Sequence, residues 1–128
     1  MSSGSAAAAE VRRRLARGEA VRVRVAGASM APTLALGAEV LARAGRPRVG
    51  DVVLLETPGE PIVHRLVARL GPLFVHAGDA PGAGVGLCRA GDVLGVVGEV
   101  GRRVPPRATQ AIALGRALAR AVRAKLGG

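Results

Sequence analysis

Few residues in this chain could do chemistry beyond surface charge. It holds two histidines, His64 and His76, one cysteine, Cys88, and one lysine, Lys125. The serine best placed to react is Ser29, in the stretch Gly27-Ala28-Ser29-Met30-Ala31-Pro32-Thr33-Leu34, which follows an alternating Val/Arg segment. Gly27 permits a turn that most residues resist, Ala28 leaves the approach to the hydroxyl open, and Pro32 fixes the chain just beyond it. An ordinary strand-to-loop turn, with Ser29 satisfying a nearby backbone group, is the competing reading. A serine hydroxyl is a poor nucleophile at neutral pH and needs an adjacent base. An unperturbed imidazole, titrating near about 6.5, is neutral enough to serve. A histidine on an apolar strand is equally a core residue with its hydrogen bonds satisfied, so both roles stay open for His64 on composition alone.

Three further stretches follow in order: Gly50-Asp51-Val52-Val53, Ile62-Val63-His64-Arg65 and Gly78-Asp79-Ala80. Together with Gly-x-Ser-Met-x-Pro-Thr, they resemble the catalytic domain shared by type I signal peptidases and LexA-like self-cleaving proteins. The likeness is greatest to the signal-peptidase branch that uses histidine where bacterial leader peptidases use lysine, and it spans Val21 to Val104. The resemblance implies a serine endopeptidase with Ser29 as nucleophile and His64 as general base. It makes Asp79 the candidate to orient the imidazole by accepting its second N–H. It also implies an oxyanion hole of backbone N–H groups at Ser29 and its neighbours, with Met30 and Pro32 on the substrate-binding wall. Small side chains before the cut, and an extended substrate paired to a strand edge, are the expected recognition mode.

In the lysine-using relatives a neutral amine is the base, but Lys125 lies beyond the region of resemblance, so a Ser-Lys pair is set aside. His76, two residues before Gly78, is expected to be structural or solvent-facing. Two departures stand out. Ala38 follows Gly37 where the family usually has Asp, a turn-setting position. The loop Gly82-Ala83-Gly84-Val85-Gly86 carries no acid where relatives commonly have one, and Asp92 could replace it only if the loop folds back. A catalytically inactive peptide-binding or assembly module on the same scaffold is therefore the alternative. LexA-like proteins carry their scissile bond in a linker after a DNA-binding domain, and only 28 residues precede Ser29. Cleavage of another peptide in trans is thus expected over self-cleavage.

The formal charge of +10 invites a nucleic-acid reading, but with no Trp or Tyr and one Phe a base-stacking platform has almost nothing to be made from. Basic residues are spread along the chain, so an anionic membrane surface or acidic partner fits at least as well. A single cysteine excludes an intramolecular disulfide, and Cys88 is expected to be buried filler. No cofactor is expected, and two histidines without a close acidic or cysteine partner motif make a poor metal site. Residues Met1 to Ala9 lack a basic start followed by an apolar core, and no apolar run approaches the roughly 20 residues of a spanning helix. A cytoplasmic protein, or one peripheral at the cytoplasmic membrane face, is the resulting expectation.

The elements that must position these residues read as a mainly β, LexA/signal-peptidase-like domain flanked by two helices. With 128 residues the chain suits one modest core, built from Val, Leu and Ala with Phe74 as the only aromatic. The predicted divisions are a helical segment at 1–20, the catalytic β domain at 21–104 and a basic amphipathic helix at 105–128. Ser5 caps a helix from Ala6 to Arg17 that Gly18 stops, its basic side (Arg12, Arg13, Arg14, Arg17) read as a solvated face. Strands are expected at Val21 to Val25, Glu39 to Ala42, Asp51 to Glu56, Ile62 to Leu70, Leu73 to Ala77 and Asp92 to Val100, with an edge segment to Val104. Residues Gly78 to Gly86 read as a flexible loop, and Pro105-Pro106 as the close of the β part. From Ala108 to Leu126, Leu114, Leu118, Val122 and Leu126 form one stripe, with Arg116, Arg120 and Arg123 opposite, for packing on the sheet or lying on a membrane.

Overall fold

Alternation of apolar and polar residues, broken by glycine turns, produces seven antiparallel strands in the computed structural model, which describes residues 5–102, 104 and 108–127. The chain enters through α1 (Ala6–Ala16), where the Ser5 side chain accepts the Ala8 N–H at 3.1 Å and Gly18, at φ 83°, ends the helix. Strands β1 (Val21–Arg24) and β2 (Glu39–Ala42) pair as a two-stranded sheet. The larger sheet has the order β6-β5-β4-β3-β7. Its members are β3 (Val52–Leu55), β4 (Ile62–Leu70), β5 (Leu73–Ala77), β6 (Val85–Arg89) and β7 (Val93–Val96). A bridge between Arg43 and Val96 ties the small sheet to β7. The last element is α2 (Ala108–Gly127).

Alternating side chains give the large sheet two apolar faces. On one face Val52, Leu54 and Val63 pack with Val21, Val40 and Ala42 of the small sheet and with Ala8 and Leu15 of α1. Further along it, Val67, Val75 and Ala77 receive α2 through Ala108, Ala111 and Ile112. On the other face Val53, Leu55, Leu66, Phe74 and Cys88 cluster together.

Two expectations are corrected here. The Gly-rich stretch after Gly78 is in part a strand, because Val85 to Arg89 pairs along the whole of β5. The helix α2 does dock on the sheet, but through its small residues: Gly115 and Ala119 are buried, while Leu114, Leu118, Val122 and Leu126 stay exposed. Glycine is required at 115, since a Cβ there would lie 2.5 Å from both Val75 methyls. The Pro105-Pro106 turn lies outside the described residues. The basic face of α1 is locally paired: Arg13 with Glu10, Arg14 and Arg17 with Glu19, Arg12 with Glu56. No helix among the described residues is long and apolar enough to cross a membrane.

Candidate active site

Ser29 lies half-buried in the turn that follows β1, fixed by its backbone. Its carbonyl accepts the Ala80 N–H at 2.8 Å. A side chain at Gly78 would collide with this turn, because its Cβ would come within 2.8 Å of the Ser29 and Ala83 Cβ atoms. Gly78 is thus a glycine because Ser29 occupies its side-chain space. The β4–β5 register sets Leu66 against His76 and Arg65 against Ala77. The Gly78 N–H to Gly84 C=O contact of 3.4 Å extends the β5–β6 ladder one residue past Ala77.

His64 is buried, and its Nδ1 sits 2.9 Å from Nδ1 of His76. The ring centroids are 5.1 Å apart with the planes tilted by 51°. A contact this short between two nitrogens requires an N–H on one and a lone pair on the other. The His76 ring lies over Gly86, where a Cβ would come 2.6 Å from Nε2. Burial pulls His64 down to about 4, with the neighbouring His76 adding to the fall and Asp79 opposing it. His76 is lowered as well, by burial against the opposing charge of Asp92. Both rings are therefore neutral at physiological pH. Of the two positions expected for His76, the structural one holds, as a direct partner of His64.

Asp79 takes a different position from the one expected. The carboxylate proposed to accept an imidazole N–H instead receives Arg65, Nε to Oδ1 and Nη2 to Oδ2, each at 2.8 Å. The Thr33 hydroxyl donates to Oδ2 at 2.6 Å. The physical reason lies in the strand register. Arg65 points to the face opposite His64, is 0 % exposed, and a guanidinium buried there demands a paired carboxylate. Arg65 also donates to the Gly50 carbonyl at 2.8 Å and to that of Gly101 at 3.4 Å. Asp79 thereby ties the segment after Ser29 to the sheet through Thr33, a positioning role.

Met30 is a second correction. It is 0 % exposed and packs with Val52, Leu54 and Val63, so it anchors the serine turn in the core and forms no substrate wall. Pro32, the other residue expected on the substrate wall, is exposed beside it. The N–H groups of Ser29 and Met30 donate to no carbonyl or side chain among the described residues, and the Ser29 hydroxyl makes no hydrogen bond there. Asp92 accepts the Arg89 N–H at 2.8 Å in a short 3-10 turn and does not take the place of the missing loop acid. Cys88 is buried as expected, and burial with nearby Asp92 pushes its thiol up to about 11, which keeps it protonated and unreactive.

Beside the loop from Gly78 to Ala83 is a cavity of about 420 Å³, lined mostly by small residues including Gly78, Ala80, Ala83, Ala108 and Ala111. Four contributors escape a sequence reading: Arg65, Thr33, His76 and Gly86. The signal for Arg65 was present, as a lone charge between Val63 and Val67 on the inward positions of a strand. His76 and Gly86 gave none, because their meeting depends on β6 being a strand. Compared with known proteins, the chain matches no protein-family model and no curated protein sequence.

Proposed function

We propose that the protein is a serine endopeptidase of the signal-peptidase and LexA-like kind, cleaving a peptide or leader substrate in trans with Ser29 as nucleophile and His64 as general base. The observation that carries the reading is Gly78, one residue past the β5 strand that pairs with the His64-bearing β4, whose side-chain space is taken by Ser29. In this mechanism Ser29 Oγ attacks the scissile carbonyl as neutral His64 takes its proton, and the C–N bond breaks as His64 returns that proton to the leaving amine. The N–H groups of Ser29 and Met30, which donate to nothing among the described residues, would receive the developing oxyanion. The scaffold is read as the LexA/signal-peptidase-like fold on the order of the four motif stretches along the antiparallel sheets.

One observation favours the second reading, an inactive peptide-binding module: no hydrogen bond joins Ser29 to His64 in the free protein. Catalytic hydrogen bonds commonly tighten only with substrate in place, which keeps the enzyme reading first. Mass spectrometry of a small-residue peptide library incubated with the protein decides between them. Cleavage by the parent chain that is lost in Ser29→Ala supports the peptidase; binding without any turnover supports the module.

A further inference from the structure

We propose that His76 is the positioning partner of His64, accepting its Nδ1–H and so presenting the His64 Nε2 lone pair as the base. The assignment rests on Ser29 and His64 being the reacting pair, and it fills the role that Asp79 leaves open. Asp79 is committed to Arg65 and Thr33 on the other face of the sheet, while the Nδ1 atoms of the two histidines stand at 2.9 Å. In a neutral pair only one ring can supply the shared proton. If His64 supplies it, the His64 proton is on Nδ1 and its Nε2 is free to accept from a hydroxyl. If His76 supplies it, His64 carries its proton on Nε2 and cannot act as a base there.

A base at His64 requires the first arrangement: its Nε2 must carry a lone pair, so its proton sits on Nδ1 and the His76 Nδ1 lone pair accepts it. The Asp92 charge acts on His76, whose Nε2 lies over Gly86 of β6. Asp79, the other acid acting on His64, is paired with the Arg65 guanidinium. When His64 gains the serine proton, the positive charge is shared through Nδ1–H with a neutral imidazole in place of a carboxylate. The proton inventory closes, because His76 neither gains nor loses a proton over the cycle.

The closing experiment has a substrate-free arm and a kinetic arm. Spectra of ¹⁵N-histidine-labelled protein at neutral pH should show His64 as the Nδ1–H tautomer and His76 as the Nε2–H tautomer. The reverse assignment, or two Nε2–H rings, overturns the proposal whether or not the protein is a peptidase. In the kinetic arm, His76→Leu keeps ring-like bulk over Gly86 and removes the acceptor, and kcat should fall about 10- to 100-fold with KM little changed. His76→Asn returns an acceptor near the Nδ1 position and should recover most of that loss. Equal activity of the parent, His76→Leu and His76→Asn overturns the positioning role. Full activity in His64→Ala removes the underlying peptidase mechanism instead, so the two failures are distinct.

Discussion

Adding one methyl group at Gly78 perturbs the serine through its backbone. The Cβ of Gly78→Ala would press on the Ser29 carbonyl oxygen, its nearest neighbour, and lie 2.8 Å from the Cβ atoms of both Ser29 and Ala83. Ordinary carbon contacts settle at about 3.5–4.0 Å, so Ser29 or the Ala80–Ala83 loop must recede by about 1 Å. Overpacking of this kind costs about 1–3 kcal/mol, which leaves a protein of ordinary stability folded. A 1 Å displacement of a reacting atom costs on the order of 100-fold in rate. Gly84→Ala is the matched control, since nothing lies within 4 Å of its Cβ and its backbone is unstrained; its stability should stay within about 0.5 kcal/mol of the parent. Urea unfolding and kcat for one cleaved peptide, measured on all three proteins, make the comparison. Undiminished kcat in Gly78→Ala would show that Ser29 needs no fixed place beside His64, and the site built here would fail.

Ser29→Ala should abolish cleavage with the thermal midpoint nearly unchanged, and residual turnover above background would exclude Ser29 as nucleophile. Asp79→Ala should destabilise by about 3–5 kcal/mol in urea, because it strands a guanidinium that is 0 % exposed; a loss below 1 kcal/mol would contradict the buried pair. His64 is held at about 4 against an ordinary 6.5, so the unfolded chain binds more protons between those values. That stability is fully present above pH 6.5 and lost as pH falls toward 4, on the order of 3 kcal/mol, and thermal melts across this range should flatten in His64→Leu. The same depression means activity should stand near its plateau by pH 6, where an unperturbed imidazole would still be climbing. The exposed Leu114, Leu118, Val122 and Leu126 with the neighbouring arginines of α2 should sediment with anionic vesicles at low salt and release at high salt; equal binding to neutral vesicles would refute the charge contribution.

Local signals carried much of the architecture. Ser5 and Gly18 bound α1 because capping depends on neighbours in sequence, and β1 shows its register in Val21, Arg22, Val23 and Arg24. The strand bearing His64 was legible for the same reason. What escaped depended on close approach. β6 was hidden because Gly84 and Gly86 look like loop residues until the His76 ring needs the space that a side chain at Gly86 would fill. The docking face of α2 was hidden because hydrophobicity points to leucine, whereas proximity to Val75 selects Gly115. Met30 could not be told from a pocket residue, since core and substrate wall ask for the same chemistry. Asp79 was assigned by motif order, and the inward position of Arg65 on β4 decided otherwise.

The Arg65 contacts have a bearing on when, during synthesis, the Ser29 turn takes its final place. Thr33, four residues past Ser29, is held by Asp79; Asp79 is held by Arg65; and Arg65 is held in turn by carbonyls at Gly50 and Gly101. A chain emerging from the ribosome therefore displays Ser29 long before the groups that fix it have been synthesised. The Ser29 turn is latched only after most of the polypeptide exists, so a half-made copy carries this serine with no framework to aim it.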